Sequence, residues 1–231
     1  MKRCFFTIAD RANMQYFEGL KNSLAKVTKD PLILIDEFKI QQLGDPQFFY
    51  RATPIIASGL LRDYDAVCKL DADQIILGNL DHIWEGDWDV GTVLNDFTYP
   101  IGVWDIKTYY NCGLVVLKNK DFVTHWLRLC MSDHFPRYQF REQDLLSILT
   151  SDYFNYRVKC LDDGDKIHGE WAKSLWPQTF MRDGKVIIPT PKGEKELLVV
   201  HFAGGQDPNK GNYRIRFQPD VVKHIETLIK T

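Results

Sequence analysis

No stretch of this 231-residue sequence approaches the roughly 18 consecutive apolar residues of a membrane-spanning helix. Lys2 and Arg3 are followed only by Cys4-Phe5-Phe6-Thr7-Ile8-Ala9, which is too short an apolar stretch for a secretory signal. The expectation is therefore a cytoplasmic protein with no signal peptide or transmembrane anchor. Cysteine is scarce. There are 5, an odd number at irregular spacing and without a CxxC pair, which argues against a disulfide framework. Several lie in apolar runs, as in Val67-Cys68 and Leu129-Cys130, and read as buried free thiols of a reducing compartment. An excess of either charge is also missing. With 29 Lys+Arg against 31 Asp+Glu the formal net charge is -2, so nothing points to nucleic acid or an anionic membrane as partner. There is no internal repeat and no low-complexity segment.

What is present fits one α/β domain over residues 1–231, long enough to bury a core without metals or disulfides. Apolar residues make up 45% and charged ones 26%, as in an ordinary globular chain. The continuous apolar runs Arg3 to Ala9 and Leu32 to Ile35 read as strands covered on both faces. Val67 to Leu70, Ile75 to Leu77, Val90 to Leu94, Gly113 to Leu117 and Leu197 to Phe202 read as further strands. Helical spacing covers Met14 to Lys26, Phe122 to Met131, Glu142 to Leu149 and Pro219 to Ile229. Asp45-Pro46 carries an N-cap and first-position signal for a helix reaching Leu61. Strands alternating with helices predict a central, mostly parallel sheet flanked by helices, with its site at the carboxyl ends of the strands. Residues 161–195 hold Asp162-Asp163-Gly164-Asp165, Asp183-Gly184 and Pro189-Thr190-Pro191, and read as a loop-rich excursion.

The sharpest local signal is Lys69-Leu70-Asp71-Ala72-Asp73, at the end of an apolar strand. In extended backbone Asp71 and Asp73 point to one side. Two adjacent carboxylates repel, and a hard divalent cation relieves this while keeping open positions for diphosphate oxygens. A lone DxD is equally a polar strand end with a capping Asp.

The surrounding run, Tyr64-Asp65-Ala66-Val67-Cys68-Lys69-Leu70-Asp71-Ala72-Asp73-Gln74-Ile75-Ile76-Leu77-Gly78-Asn79-Leu80-Asp81, resembles the glycogenin-like, family-eight retaining glycosyltransferases of the GT-A fold. The likeness continues through Gly78-Asn79-Leu80-Asp81, which metal binding does not require. Tyr50-Arg51, Asn95-Asp96, Tyr110-Asn111-Cys112-Gly113-Leu114-Val115-Val116-Leu117, Glu142-Gln143-Asp144 and His201-Phe202-Ala203-Gly204-Gly205 follow in the family's order. Cys112 stands where the family has a small residue. Gln206-Asp207-Pro208-Asn209-Lys210 replaces its Lys-Pro-Trp.

The resemblance implies a Rossmann-like GT-A domain that moves a sugar from a UDP-sugar to a sugar, glycan or protein acceptor with retention. It implies Asp71, Asp73 and His201 as ligands of Mn2+ or Mg2+, the histidine favouring Mn2+. Thr7, Ala9 and Asp10 would meet base and ribose, and Ala72 would lie against the nucleotide. Arg51 would lie near the donor phosphates or sugar, and Gly204, Gly205 and Lys210 would wrap the diphosphate. Asp96, Asn111, Gln143 and Asp144 would surround the transferred sugar. Bland readings stand beside these: a core histidine for His201, a polar turn for Asp10, a surface arginine for Arg51, and a dipole-favoured helix start for Glu142 to Asp144. Two other functions share the expected features. A sugar nucleotidyltransferase would need a glycine-rich basic loop, and Thr7 to Asn13 holds no glycine. A non-catalytic nucleotide-sugar-binding module would have no need of all three ligands.

Overall fold

The computed structural model describes residues 1–41, 51–95, 100–102, 104–168, 170–202 and 212–230. The chain opens with β1 (Arg3–Ala9), α1 (Met14–Val27), β2 (Leu32–Asp36) and α2 (Glu37–Gln41). Then come α3 (Ala52–Leu60), β3 (Ala66–Asp71), β4 (Gln74–Ile76), β5 (Val90–Leu94) and β6 (Tyr110–Leu117). After α4 (Lys120–Cys130) and α5 (Glu142–Leu149) lie β7 (Val158–Cys160), β8 (Lys166–Ile167), β9 (Phe180–Arg182), β10 (Lys185–Thr190), β11 (Gly193–Leu197) and β12 (Val199–His201). The last helix is α6 (Pro219–Ile229).

Six strands form the central sheet in the order β2-β1-β3-β6-β5-β7. The pairs β1·β2, β1·β3 and β5·β7 are parallel, and β3·β6 and β5·β6 are antiparallel. This is the mixed, mostly parallel sheet with flanking helices that the sequence predicts. Alternation along β1 explains its unbroken apolar run. Cys4, Phe6 and Ile8 enter the core under α3, α4 and α5, whereas Phe5 enters the one under α1. Asn119 fixes the start of α4 by accepting from the amides of Asp121 at 2.7 Å and Phe122 at 3.0 Å. Among the described residues no helix is long and apolar enough to cross a membrane.

Residues 161–195 depart from expectation. They hold β8, β9, β10 and a 3-10 helix (Glu170–Gln178), and with β11 they form a four-stranded sheet in the order β8-β11-β10-β9. Asp183 and Gly184 both have positive φ, 51° and 76°, and link β9 to β10 as a two-residue hairpin turn. The segment therefore contributes a packed face. Val186, Ile188 and Trp176 join Ile75, Val200 and Val221 of α6 in a third apolar cluster. Two more short elements, α2 and β7, were not expected from the sequence. Asp45 and Pro46 lie outside the described residues, so their capping signal goes untested.

Candidate active site

The two-residue turn Ala72–Asp73 connects β3 to β4, and β4 pairs antiparallel with β12 in the register His201 opposite Gln74. That pairing carries His201, 130 positions from Asp71 and 128 from Asp73 in sequence, to the two carboxylates. His201 Nε2 lies 3.1 Å from Asp71 Oδ2 and 3.4 Å from Asp73 Oδ1. One ligand atom from each of the three residues falls within 4.8 Å of the others. His201 and Asp73 are buried, and Asp71 is half-buried.

Room for the imidazole comes from β6. A Cβ on Gly113 would stand 2.3 Å from His201 Cε1 and 2.7 Å from Nδ1, so the ring occupies the space where a side chain would be. Burial opposes protonation of His201, but its hydrogen bonds to Asp71 and Asp73 outweigh this and push the imidazole up to about 10. Burial likewise opposes ionisation of Asp71. The Lys69 ammonium and His201 outweigh it and hold that carboxyl well below the usual carboxylate range. Two carboxylate oxygens and one imidazole nitrogen on strand ends form a donor set that suits a divalent cation such as Mn2+.

Lys69 belongs to this site and carried no role in the sequence reading. It sits two residues before Asp71 on β3, and its side chain is 7% exposed. The ammonium donates to Asp71 Oδ1 and, at 2.7 Å, to the carbonyl of Cys112 on β6. Beyond it, Glu142 opens α5 and accepts from Thr53 Oγ1 at 2.8 Å. Burial pushes the Glu142 carboxyl up to about 7 against the pull of Lys69. The strand alternation that groups Asp71 with Asp73 also groups Lys69 with them, so a signal was present.

Gln143 and Asp144 stand beside this group, at the start of α5. The Cys112 amide donates to Gln143 Oε1 at 2.9 Å, and Gln143 Nε2 donates to the Tyr109 hydroxyl at 3.3 Å. Tyr109 donates to Asp144 Oδ1 at 2.6 Å, and the Phe140 amide donates to Oδ2 at 3.0 Å. Asp144 is fully buried, and burial raises its carboxyl above the ordinary range despite these donors. Arg141, preceding α5, holds a φ of 52°, a conformation that costs a non-glycine residue on the order of 1–3 kcal/mol. Asn111 is buried on β6, and its Oδ1 accepts from the Gly113 amide at 2.6 Å.

The remaining candidates are placed as follows. Thr7 and Ala9 are fully buried on β1. Asp10 Oδ1 accepts from Asn13 N at 2.9 Å and Nδ2 at 2.7 Å, closing the turn into α1. Arg51 lays its guanidinium 4.9 Å from the Phe135 ring centroid and 3.8 Å from Met131 Sδ. Ala72 is buried in the turn between the two carboxylates. Asp96, Gly204, Gly205 and Lys210 lie outside the described residues.

No protein-family model matches this chain, and no curated protein sequence matches it. Solved structures do. The chain is similar to galactosyltransferase LgtC in complex with donor and acceptor sugar analogs, at 15% identity and a TM-score of 0.65, over 98% of this chain and 96% of that one. It is similar at 15% identity and a TM-score of 0.63 to an LgtC active-site variant in which glutamate replaces glutamine. It is similar to the bifunctional glycosyltransferase WbbM at 14% identity and a TM-score of 0.51, over 72% of this chain. A weaker likeness, at 18% identity and a TM-score of 0.49 over 71% of this chain, is to the glycosyltransferase GlyE of Streptococcus pneumoniae TIGR4. The chain spans only 40% of WbbM and 46% of GlyE. At these identities the likeness to LgtC and WbbM is one of fold, a mixed sheet flanked by helices.

Proposed function

We propose that this chain is a retaining glycosyltransferase that moves a sugar from a nucleoside-diphosphate sugar, UDP-linked, to a sugar, glycan or protein acceptor, with Mn2+ or Mg2+ held at Asp71, Asp73 and His201. The observation that carries the reading is the convergence of those three side chains, within 4.8 Å of one another, from the end of β3 and from β12. Three potential ligands leave the rest of a coordination sphere open to substrate oxygens. A divalent cation there supplies Lewis-acid stabilisation of the charge on the departing diphosphate.

The chain's own residues supply position. Gln143 is a neutral amide with its oxygen taken by the Cys112 amide and its nitrogen donating to Tyr109. It is a poor nucleophile, and no carboxylate base is assigned. This supports attack from the face of the departing phosphate, with the donor's anomeric configuration kept. Asp144, held by Tyr109 and Phe140, fixes the start of α5 from which Gln143 projects. The fold shared with LgtC, whose known complex holds donor and acceptor sugar analogs, agrees with this reading.

The test is a panel of UDP-, GDP- and CMP-sugars assayed for hydrolysis and transfer with Mn2+ or EDTA, with the product anomer read by NMR. The reading requires turnover of a UDP-sugar that EDTA abolishes and a product that keeps the α-configuration. Turnover in EDTA, preference for GDP or CMP, or a β-linked product from an α-linked donor would refute the corresponding element. Binding without any turnover would make the chain a non-catalytic module.

A further inference from the structure

We propose that Lys69 sets both the geometry and the charge of the cation site, making it a weaker metal binder and a stronger diphosphate binder than its carboxylates alone would be. This rests on the reading that Asp71, Asp73 and His201 hold a divalent cation.

Geometry comes first. The ammonium takes Asp71 Oδ1, while Asp71 Oδ2 faces His201 Nε2 at 3.1 Å. One oxygen is therefore occupied from within the protein, and Asp71 meets a cation through the other alone. A carboxylate free at both oxygens can close on a cation with two and consume an open position. Lys69 has little freedom to release Oδ1, because its second bond, 2.7 Å to the Cys112 carbonyl on β6, anchors the ammonium from the other side. With its side chain 7% exposed, water is a poor substitute for either partner.

Charge follows. The carboxylates of Asp71 and Asp73 with the ammonium of Lys69 carry one net negative charge once His201 is neutral. A divalent cation turns that into one net positive charge facing substrate. Without Lys69 the loaded site would be neutral, and the metal-free site more negative. A buried cation in contact with a metal ligand thus opposes metal binding and favours the anionic diphosphate that follows. Glu142 interacts with the ammonium through charge alone, its carboxylate accepting from Thr53 Oγ1 at 2.8 Å.

The test measures two affinities on whole protein: Mn2+ by the EPR signal of the free ion, and UDP by calorimetry at saturating Mn2+. Lys69→Met removes charge and donor, Lys69→Gln removes the charge and keeps a donor, and Lys69→Arg keeps both. Both neutral variants are expected to bind Mn2+ about tenfold more tightly and UDP about tenfold more weakly, while Lys69→Arg stays near wild type. Opposite movement of the two affinities is a signature that loss of structure does not produce. If the Met variant does not fold, as judged by circular dichroism, the Gln variant carries the test. Equal affinities in all four proteins, or a joint fall of both, would overturn the role given to Lys69. Absence of Mn2+ binding in the wild type would instead overturn the metal reading beneath it, and the proposal with it.

Discussion

Tyr109 donates its hydroxyl proton to Asp144 Oδ1 at 2.6 Å, joining the residue before β6 to the first turn of α5. Both Asp144 oxygens are engaged, since Phe140 N donates to the other, so the carboxylate fixes α5 before it can serve any ligand. Removing the phenol leaves a buried carboxylate with one donor fewer. Tyr109→Phe is expected to lower stability by about 1–3 kcal/mol. The loss should depend on pH. The hydrogen bond favours the ionised carboxylate, whose pKa burial has raised, so the variant should lose more at pH 7.5 than at pH 4. Urea unfolding at both values measures this, and a pH-independent loss would show that the bond is not to a carboxylate.

Gly113 and His201 share one volume. Gly113→Ala should displace the imidazole and weaken Mn2+ binding at least about tenfold, with an overpacking cost of about 1–3 kcal/mol. In a His201→Ala background the same substitution should cost less, because the ring it collides with is gone. Additive costs in this double-mutant cycle would contradict the packing described.

Much of this arrangement is legible in the sequence, and the illegible parts share a cause. The apolar runs of β1 and β3 and the spacing of Asp71 and Asp73 are local, and strand alternation reads them directly. His201 was reached only through the resemblance, because the β4·β12 register that delivers it is a long-range pairing. The bonds from Lys69 to the Cys112 carbonyl and from Thr53 to Glu142 span 43 and 89 positions, which no periodicity reports. The sheet within residues 161–195 was missed for another reason. Its strands are short and half-exposed, so alternation there is weak, and Asp183-Gly184, the strongest two-residue hairpin signal, also marks a loop.

His201 gives the metal site a predictable pH response. Its imidazole, pushed up to about 10, is protonated at neutral pH in the metal-free protein, whereas a ligand histidine must be neutral. Mn2+ binding at pH 7 should release about one proton per ion, and affinity should rise by up to about tenfold per pH unit below that pKa. In the metal-free protein the same shift stabilises the fold fully below about 6.5 and is lost as pH rises through about 10. Calorimetry in buffers of different ionisation enthalpy counts the protons. Binding without proton release would mean that the imidazole is not a ligand.

The Glu142 carboxyl is raised as well, and its linkage to stability has the same sign in a lower pH window. Its folded-state value is raised from about 4.5 to about 7, so its contribution to stability is complete below about 4.5 and falls away as pH rises through about 7. Glu142→Gln retains an acceptor for Thr53 and removes the ionisation. Between about pH 4.5 and 6.5, below the range in which the His201 contribution changes, its stability should decline less than the wild type's. Parallel profiles would show that Glu142 is not the group responsible.

The central claim, that Asp71, Asp73 and His201 hold a cation that in turn binds a nucleoside diphosphate, is tested most directly by one calorimetric comparison. UDP is titrated into wild type and Asp73→Asn, each with Mn2+ and with EDTA. The account predicts binding only to the wild type with Mn2+, while circular dichroism shows the variant folded. UDP binding of equal strength in EDTA, or in folded Asp73→Asn with Mn2+, would contradict it.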